Sequence, residues 1–510
     1  MSLGSVLGTA RSALAAQQLA IETAGHNIAN AQTEGYSRQR VELAPASAQR
    51  WLYGSVGTGV AVTDVRRARD VLLDGAVRRE TGGDAAASAR RELLGAVEEV
   101  LGEPSDTGLA NALDAFWSSW SELATSPTSA AARSVVVQRA SAAASTLNGF
   151  DARLDVLRDQ TLARVDTAVN TVNGLARRIA DLNGRIAGTE AGGPQRANDL
   201  RDLRDRAVDE LARYGDVQAL DRPDGSVQLL FGTHTLVDGV HARALARTTD
   251  ALGRAALALA DAPGRALQPT GGSLQATLDF LNDDLQGARD QLDATANALA
   301  RTVNAVHAQG RDAAGNAAPP VFVDRFSGAF DAGASAFRVP LAAGAVTART
   351  IGVSAALRAD ASRVAASADP ARPAGNDVAL ALAGLRTGAA ATVGGVTVEA
   401  TFRLPNRRAL PVSAGGATEP PMLAATAPTS FADQYRSAAS GLAVRVQDAG
   451  AAAEVRAALA AQARGRRDSV TGVNVDEELT SLMRAQQAYA AAAKVVSAAD
   501  EMLRTLVEMV

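Results

Sequence analysis

Two heptad rows, one at each end of the chain, constrain the fold more than any other feature. Leu7, Leu14, Ile21 and Ile28 recur every seven residues, and Ala10, Gln17, Ala24 and Ala31 each follow three positions behind. Leu482, Tyr489, Val496, Leu503 and Val510 repeat the spacing at the other end, with Ala485, Ala492, Ala499 and Leu506 as companions. A row at this spacing is a seam on one helical face, so both ends are predicted to be amphipathic helices. Gly25 weakens the first by roughly 1 kcal/mol relative to Ala. That helix should stop near residues 30–35, where Asn30, Thr33 and Gly35 supply turn chemistry and a left-handed stop. Asn474 is a suitable N-cap for the last helix, and Asp476, Glu477 and Glu478 place negative charge in its first turn.

These seams are thin. Hydrophobic residues make up 47% of the 510, but much of that is alanine, which buries a single methyl at roughly 0.8 kcal/mol per CH₂. Ordering a residue costs about 1–2 kcal/mol of backbone entropy, so a lone pair of such helices is marginal in water. Either they close one domain as an ordinary helical hairpin, or they require further copies or partners. Thin, elongated helical packing follows in preference to one large globule.

Composition removes several function classes. The chain has no cysteine, four histidines and a single lysine, Lys494. Disulfides, Cys-ligated metal and thiol nucleophiles are excluded, and so is a phosphate loop ending in Lys-Ser/Thr. His26, His234, His241 and His307 form no HExxH pair, and no metal or cofactor is expected. A net charge of −4 with mixed signs gives no electrostatic case for nucleic acid. The N-terminus carries no positive residue before Arg11, so a cleavable signal peptide is not expected. Uncharged stretches such as 387–398 and 420–432 fall short of the roughly 20 residues a membrane span needs.

Between the ends the pattern alternates. Residues 36–65 read as extended or irregular. From Asp64 to about Ile186 the period is mostly helical, with good runs at Arg90–Leu101, Leu109–Leu123 and Ser134–Ile186. Phe116, Trp117 and Trp120 sit at helical spacing and should anchor the core. Asn198–Tyr214 reads as a helix with Asp/Arg pairs at exposed spacing. Val217–Leu220 and Val227–Phe231 flank Pro223-Asp224-Gly225 as a β-hairpin, and Thr235–Asp238 adds a third strand. Ser273–Gly310 returns to helix. Residues 311–425 are rich in Gly, Pro and Val, with alternating runs at Ala345–Val353 and Thr392–Leu404 and one helix near Asn376–Leu385. From Phe431 to about Gln462 the helical period resumes. The predicted fold is mainly α with a smaller β-containing insert. Terminal coiled-coil helices occupy residues 1–50 with 466–510. An elongated helical body occupies 51–325 with 426–465 and includes a β-hairpin near 216–238. A variable β-rich insert occupies 326–425.

The ends also carry motifs. Asn27-Ile28-Ala29-Asn30, then Thr33, Gly35 and Tyr36, resembles the N-terminal signature of the flagellar rod, hook and hook-associated proteins. Gly57-Thr58-Gly59-Val60 with Arg67 and Asp70 is similar to the block that follows it. Gly472-Val473-Asn474-Val475-Asp476-Glu477-Glu478, followed by Gln486-Gln487-Ala488-Tyr489, resembles the hook-associated protein 1 (FlgK) family more narrowly. The resemblance covers residues 1–240 and 430–510 well and 311–425 poorly. Arg484-Ala485 departs from the small or hydrophobic residue usual before the Gln-Gln pair.

The resemblance implies a structural, non-enzymatic subunit of the junction between hook and filament. The terminal helices would form an inner coiled-coil layer and the β insert would face outward. About eleven copies would make one ring-like helical turn on the hook. Implied partners are the hook protein, a second hook–filament junction protein, further copies, and a type III export chaperone on the C-terminal helix. Implied location is the extracellular flagellum, reached without a cleaved signal, with no membrane insertion. The assembly interface would draw on Leu7, Leu14, Ile21, Asn27, Ile28, Asn30, Gly35, Tyr36, Gly472, Asn474, Leu482, Gln487, Tyr489, Val496 and Leu503.

Two other readings compete. A hook or distal-rod protein would share the terminal motifs. A cell-wall hydrolase acting in flagellar growth would need paired carboxylates facing one cleft, and Glu98/Glu99 and Asp283/Asp284 are adjacent on helices and point apart. A surface adhesin could reside only in 311–425.

Overall fold

The computed structural model describes residues 3–51, 54–102, 108–193, 195–267, 269–369, 371–372, 374–407, 409, 412–414 and 417–508. Val510 of the C-terminal row lies outside the described residues, as does the side chain of Leu506.

The first helix, α1 (Leu3–Ala29), ends where the turn residues predict. Strands β1 (Gln39–Pro45), β2 (Gln49–Trp51), β3 (Gly54–Val56) and β4 (Val60–Arg67) follow as one long antiparallel excursion, β1 on β4 and β2 on β3 at its tip. The period predicts helix from Asp64; instead the β-branched residues Val60, Val62 and Val65 continue the ladder to Arg67. Helix α2 (Val71–Leu101) begins only at Asp70, whose carboxylate caps Leu72 N–H at 2.8 Å. Then come α3 (Leu109–Thr125), α4 (Ala130–Glu190) and α5 (Asn198–Leu211). The 61 residues of α4 span roughly 90 Å at 1.5 Å per residue, which makes it the spine of the body.

Two antiparallel sheets lie against the spine. The expected hairpin appears as β5 (Val217–Asp221) and β6 (Val227–Phe231), extended by β7 (His234–Asp238) and β8 (His241–Ala242). A second sheet, β9 (Leu245–Thr249), β10 (Ala255–Leu259) and β11 (Ala262–Leu267), has no counterpart in the sequence reading. Its central strand is Ala-Ala-Leu-Ala-Leu, a helix-former's composition. Ala256, Leu257, Ala258 and Leu259 are all buried there, so packing on both faces overrides propensity. Helices α6 (Gly272–Asp279) and α7 (Gln286–His307) are joined by a π-turn over Phe280–Leu285.

The region 311–425 is less regular than its composition suggests. It holds β12 (Phe322–Asp324), β13 (Ile351–Val353), α8 (Ala355–Ala359), α9 (Asp377–Gly384) and the short hairpins β14 (Ala390–Val393) with β15 (Val396–Glu399) and β16 (Val412–Ala414) with β17 (Ala417–Glu419). The run 392–404 is thus split by a turn, and only the end of 345–353 is strand. Residues of this region share the body's core. Phe116 packs on Phe322 at 5.6 Å, Trp117 on Phe431 at 5.5 Å, and Phe402 on Phe431 at 5.2 Å between ring centroids. His307 adds a polar tie: Nδ1–H donates to Pro319 O at 2.8 Å, and Nε2 accepts from Ala365 N–H at 2.9 Å. Burial pushes its pKa down to about 4, so the ring stays neutral. The chain returns through α10 (Phe431–Thr471), which lies along α2, and ends in α11 (Val475–Glu508).

One device recurs at the joins. A helix-borne asparagine pairs with both the N–H and the C=O of a single extended residue. Asn173 holds Leu245 at 2.9 and 2.7 Å, and Asn183 holds Val227 at 3.0 and 3.1 Å. Asn282 holds Ala255 at 2.9 Å twice, and Asn304 holds Phe322 at 2.6 and 2.9 Å. Each amide completes backbone groups that would otherwise be buried without partners.

Asn304→Leu should strand the Val321 and Phe322 N–H groups and the Phe322 carbonyl, and lower stability by about 2–4 kcal/mol. Urea unfolding measures the loss; a change below about 0.5 kcal/mol would show that this pairing is incidental.

Candidate assembly interface and the joint that positions it

α1 and α11 run antiparallel: Asn27 meets Glu478 at 3.0 Å, while Ser5–Ala13 lies beside Ala492 and Val495. The line of closest approach falls on small residues. Ala10, Ala16 and Ala24 of α1 and Ala485 and Ala499 of α11 are buried. Leu7, Leu14, Ile21, Ile28, Leu482 and Val496 are only half-buried, so the large residues flank the seam rather than fill it. Gln487 is exposed, Tyr489 is 39% exposed and Leu503 37%. Leu479, Met483, Val495 and Met502 are exposed as well, on both sides of the α1 contact. A cavity of about 370 Å³ opens between Val6, Ala10, Val56, Thr58, Ala492 and Val495.

Where α1 meets the body, Asn27 uses its whole amide. Oδ1 accepts from Gln39 N–H at 2.9 Å and Tyr36 O–H at 2.8 Å; Nδ2 donates to Gln39 O at 2.9 Å and Glu478 Oε2 at 3.0 Å. Tyr36 also lies edge-on to His26. Burial raises the Tyr36 pKa, and Asp199, Asp202 and Glu478 add to the shift, so the phenol keeps its proton and can donate. Asn30 closes the turn, donating to His26 O at 3.0 Å and accepting from Thr33 Oγ1 at 3.2 Å. Gly35 sits at φ +76°, where a side chain would be strained.

On the C-terminal side, Asn474 caps α11 through Asp476 N–H at 3.0 Å. A Cβ on Gly472 would come within 2.4 Å of Asp468 O. The three acids beyond it supply charge for the helix N-terminus. Glu478 does more: it is buried and ion-pairs with Arg38 at 2.6 Å, while Glu477 reaches the same guanidinium at 2.9 Å. Arg38 N–H donates to Thr471 O at 2.9 Å. One arginine thus holds the end of α10 and the start of α11.

The spacing of the Asp/Arg pairs on α5 suggests exposure, but Asp202 and Arg204 are buried. Asp199, Asp202, Asp205 and Asp209 fall at steps of three, three and four, so one face carries four carboxylates. That face is tolerable only against donors and cations. Ser37 bonds Asp202 through N–H at 3.0 Å and Oγ at 2.8 Å, and Gln39 Nε2 reaches Asp199 at 3.2 Å. Arg67 bridges Asp202 and Asp205 at 2.7 Å each, and Arg69 pairs with Asp205 as well. Arg78 and Arg467 reach Asp209 at 2.7 and 2.6 Å. Burial alone would raise the Asp205 pKa, but Arg69, Arg67, Arg204 and Arg78 hold it down to about 2. Sequence reasoning missed Arg38, Asp202, Asp205 and the tertiary role of Glu478; the 3–3–4 spacing was the available signal. The members of the main apolar core run from Leu93 to Ala449, so among the described residues the α1–α11 pair shares none of it. The joint is polar.

Asp205 has a folded pKa below its ordinary 3.8, so its contribution is present above about pH 4 and is lost as pH falls towards 2. That amounts to about 2 kcal/mol. Urea midpoints measured across this window should fall steeply, and Asp205→Asn should flatten that part of the profile. A second variant, Arg38→Ala, leaves Glu478 buried without its cation. Hydrogen exchange should then speed up at residues 27–39 and in the first turns of α11, with the body's core unchanged. Unaltered protection at residues 27–39 would count against the joint.

Comparison with known proteins agrees with this anatomy. Residues 94–322 match the model of the flagellar hook-associated protein FlgK helical domain. Residues 468–509 match the flagellar basal body rod FlgEFG protein C-terminal model, and 7–36 the flagella basal body rod protein model. The flagellar hook-associated protein 1 of Bacillus subtilis is 36% identical over 219 residues, 42% of this chain and 43% of that one. The Salmonella typhimurium protein of the same name is 30% identical over 249 residues, 48% of this chain and 44% of its own. The matched stretches therefore span under half the length of these relatives. The flagellar hook junction protein FlgK from Burkholderia pseudomallei superimposes with a TM-score of 0.58 at 16% identity, covering 78% of this chain and 100% of that one, which shows a shared fold. The terminal models, the helical-domain model and the shared fold all point one way: over these segments the chain is similar to the FlgK family of flagellar hook-associated proteins.

Proposed function

We propose that the chain is a structural, non-enzymatic subunit of the junction between hook and filament of the bacterial flagellum. The observation that carries this reading is the state of α11. A helix with apolar residues around most of its circumference calls for burial on several sides. α1 covers one line of alanines and leaves Leu479, Met483, Tyr489, Val495, Met502 and Leu503 exposed. Neighbouring copies supply the missing contacts, so the α1–α11 pair forms the inner layer and residues 326–425 face outward. In this reading the hook protein lies on one side and a second junction protein on the other. About eleven copies form one ring-like turn of head-to-tail contacts. A type III export chaperone covers the C-terminal helix beforehand, and the subunit works outside the cell.

The rod-protein matches at the two ends suit a hook or distal-rod protein equally well. The helical-domain match over 94–322 favours the junction reading.

Leu482→Asp combined with Val496→Asp should block incorporation into flagella and abolish motility. Both residues lie outside the body's core, so thermal unfolding of the body should move by no more than a few degrees, as expected for ΔΔG of about 1 kcal/mol. Normal motility of the double variant would overturn the reading.

A further inference from the structure

The dipeptide Asn-Gly occurs at three places in the sequence, 148–149, 173–174 and 183–184, and all three lie on α4. All three asparagines hold the backbone of another segment. Asn173 and Asn183 pair with Leu245 and Val227 as described. Asn148 donates to the carbonyls of Ala348 and Ile351 at 2.7 and 3.2 Å and accepts from Arg325 Nη1 at 2.7 Å. Packing does not require glycine beside them. A Cβ on Gly149 or Gly174 would meet nothing within 4 Å, and one on Gly184 would approach only Val240 Cγ1, at 3.3 Å. Each glycine instead costs the helix about 1 kcal/mol relative to Ala. Glycine is also the neighbour that least hinders its own backbone nitrogen from approaching the preceding side chain, because it lacks a Cβ.

We propose that Asn148, Asn173 and Asn183 are deamidation sites that the native fold switches off. In the reaction the glycine nitrogen bonds to the asparagine Cγ, the Cγ–Nδ2 bond breaks, and ammonia leaves carrying the proton the nitrogen gives up. Water then opens the succinimide at either carbonyl, giving aspartate or isoaspartate. In α4 the glycine N–H is committed to the helical ladder and each Nδ2 is bound, so ring closure requires local unfolding. Once formed, the product cannot restore the join. At Asn183 a carboxylate oxygen would face the Val227 and Gly239 carbonyls, where Nδ2 now donates at 3.0 and 2.8 Å. Isoaspartate lengthens the backbone and breaks the ladder as well. The time a chain spends unfolded is therefore written into the helix on which its sheets depend.

The test holds purified full-length chain in concentrated urea at mildly alkaline pH for increasing times, then dilutes it to refold. A matched sample is kept folded in the same buffer without urea. Peptide mass mapping should find the amide-to-acid mass gain at all three sites in the unfolded sample, and at least about tenfold more slowly in the folded one, where local opening limits the rate. The refolded fraction should fall in step with modification. Equal rates in the two states overturn the proposal, and so does complete refolding of chains modified at Asn183. Gly149→Ala with Gly174→Ala leaves Asn183 as the remaining site, and refolding should then be lost at the rate of its modification alone. If adding Gly184→Ala fails to slow that loss, the damage lies elsewhere and the proposal falls.

Discussion

A short sheet laid against a helix leaves edge N–H and C=O groups facing side chains that cannot pair with them. That constraint governs this molecule. Among the described residues the sheets have at most four strands, and none is closed or long enough to satisfy its own edges. Asparagines on α4, α6–α7 and α7 supply the missing partners at Leu245, Val227, Ala255 and Phe322. An amide matches a peptide group atom for atom, one donor and one acceptor in a plane. The helix in effect adds a single peptide unit to each strand, and register follows from where that unit sits. Hydrophobic burial then fills in around joins whose geometry the amides have already set.

The same side chain, used once more, makes the terminal pair a different kind of object from the body. Asn27 brackets Gln39 as its counterparts bracket their strands, but it also binds Glu478 and Tyr36. Around it lie Arg38 and the acidic face of α5, with no share of the apolar core. Buried ion pairs of this kind add little net stability over an apolar alternative, yet losing one partner costs about 3–5 kcal/mol. Their contribution is orientation. Two thin helices that could slide along an alanine seam are held in one register and one direction.

Much of this was legible beforehand. Seven-residue spacing placed both terminal helices, and Asn474 and Gly35 marked a cap and a stop that the backbone adopts. Phe116, Trp117 and Trp120 proved to be the core their spacing implied. What failed did so for identifiable reasons. Periodicity puts Leu7 with Ala10, and Leu482 with Ala485, on one helical face; the alanines take the line of closest approach and the large residues flank it. Ion-pair spacing on α5 looked like a solvated surface because the arginines opposite it lie more than a hundred residues away in the chain. β10 is built from alanine and leucine, and only burial on both faces makes it a strand. Arg38 carried no local signal, since its partners come from the far end of the sequence.

The polar joint has a mechanical consequence. Apolar contacts are non-directional and tolerate sliding, so a domain packed on a greasy interface yields gradually under load. Hydrogen bonds and ion pairs weaken steeply once the donor angle or distance is lost. A joint made of Asn27, Arg38, Glu478 and the α5 carboxylates is therefore stiff up to a limit and then lets go. It is brittle where a hydrophobic joint would be elastic. The terminal pair has one well-defined angle to the body or none, with little ground for a continuum between.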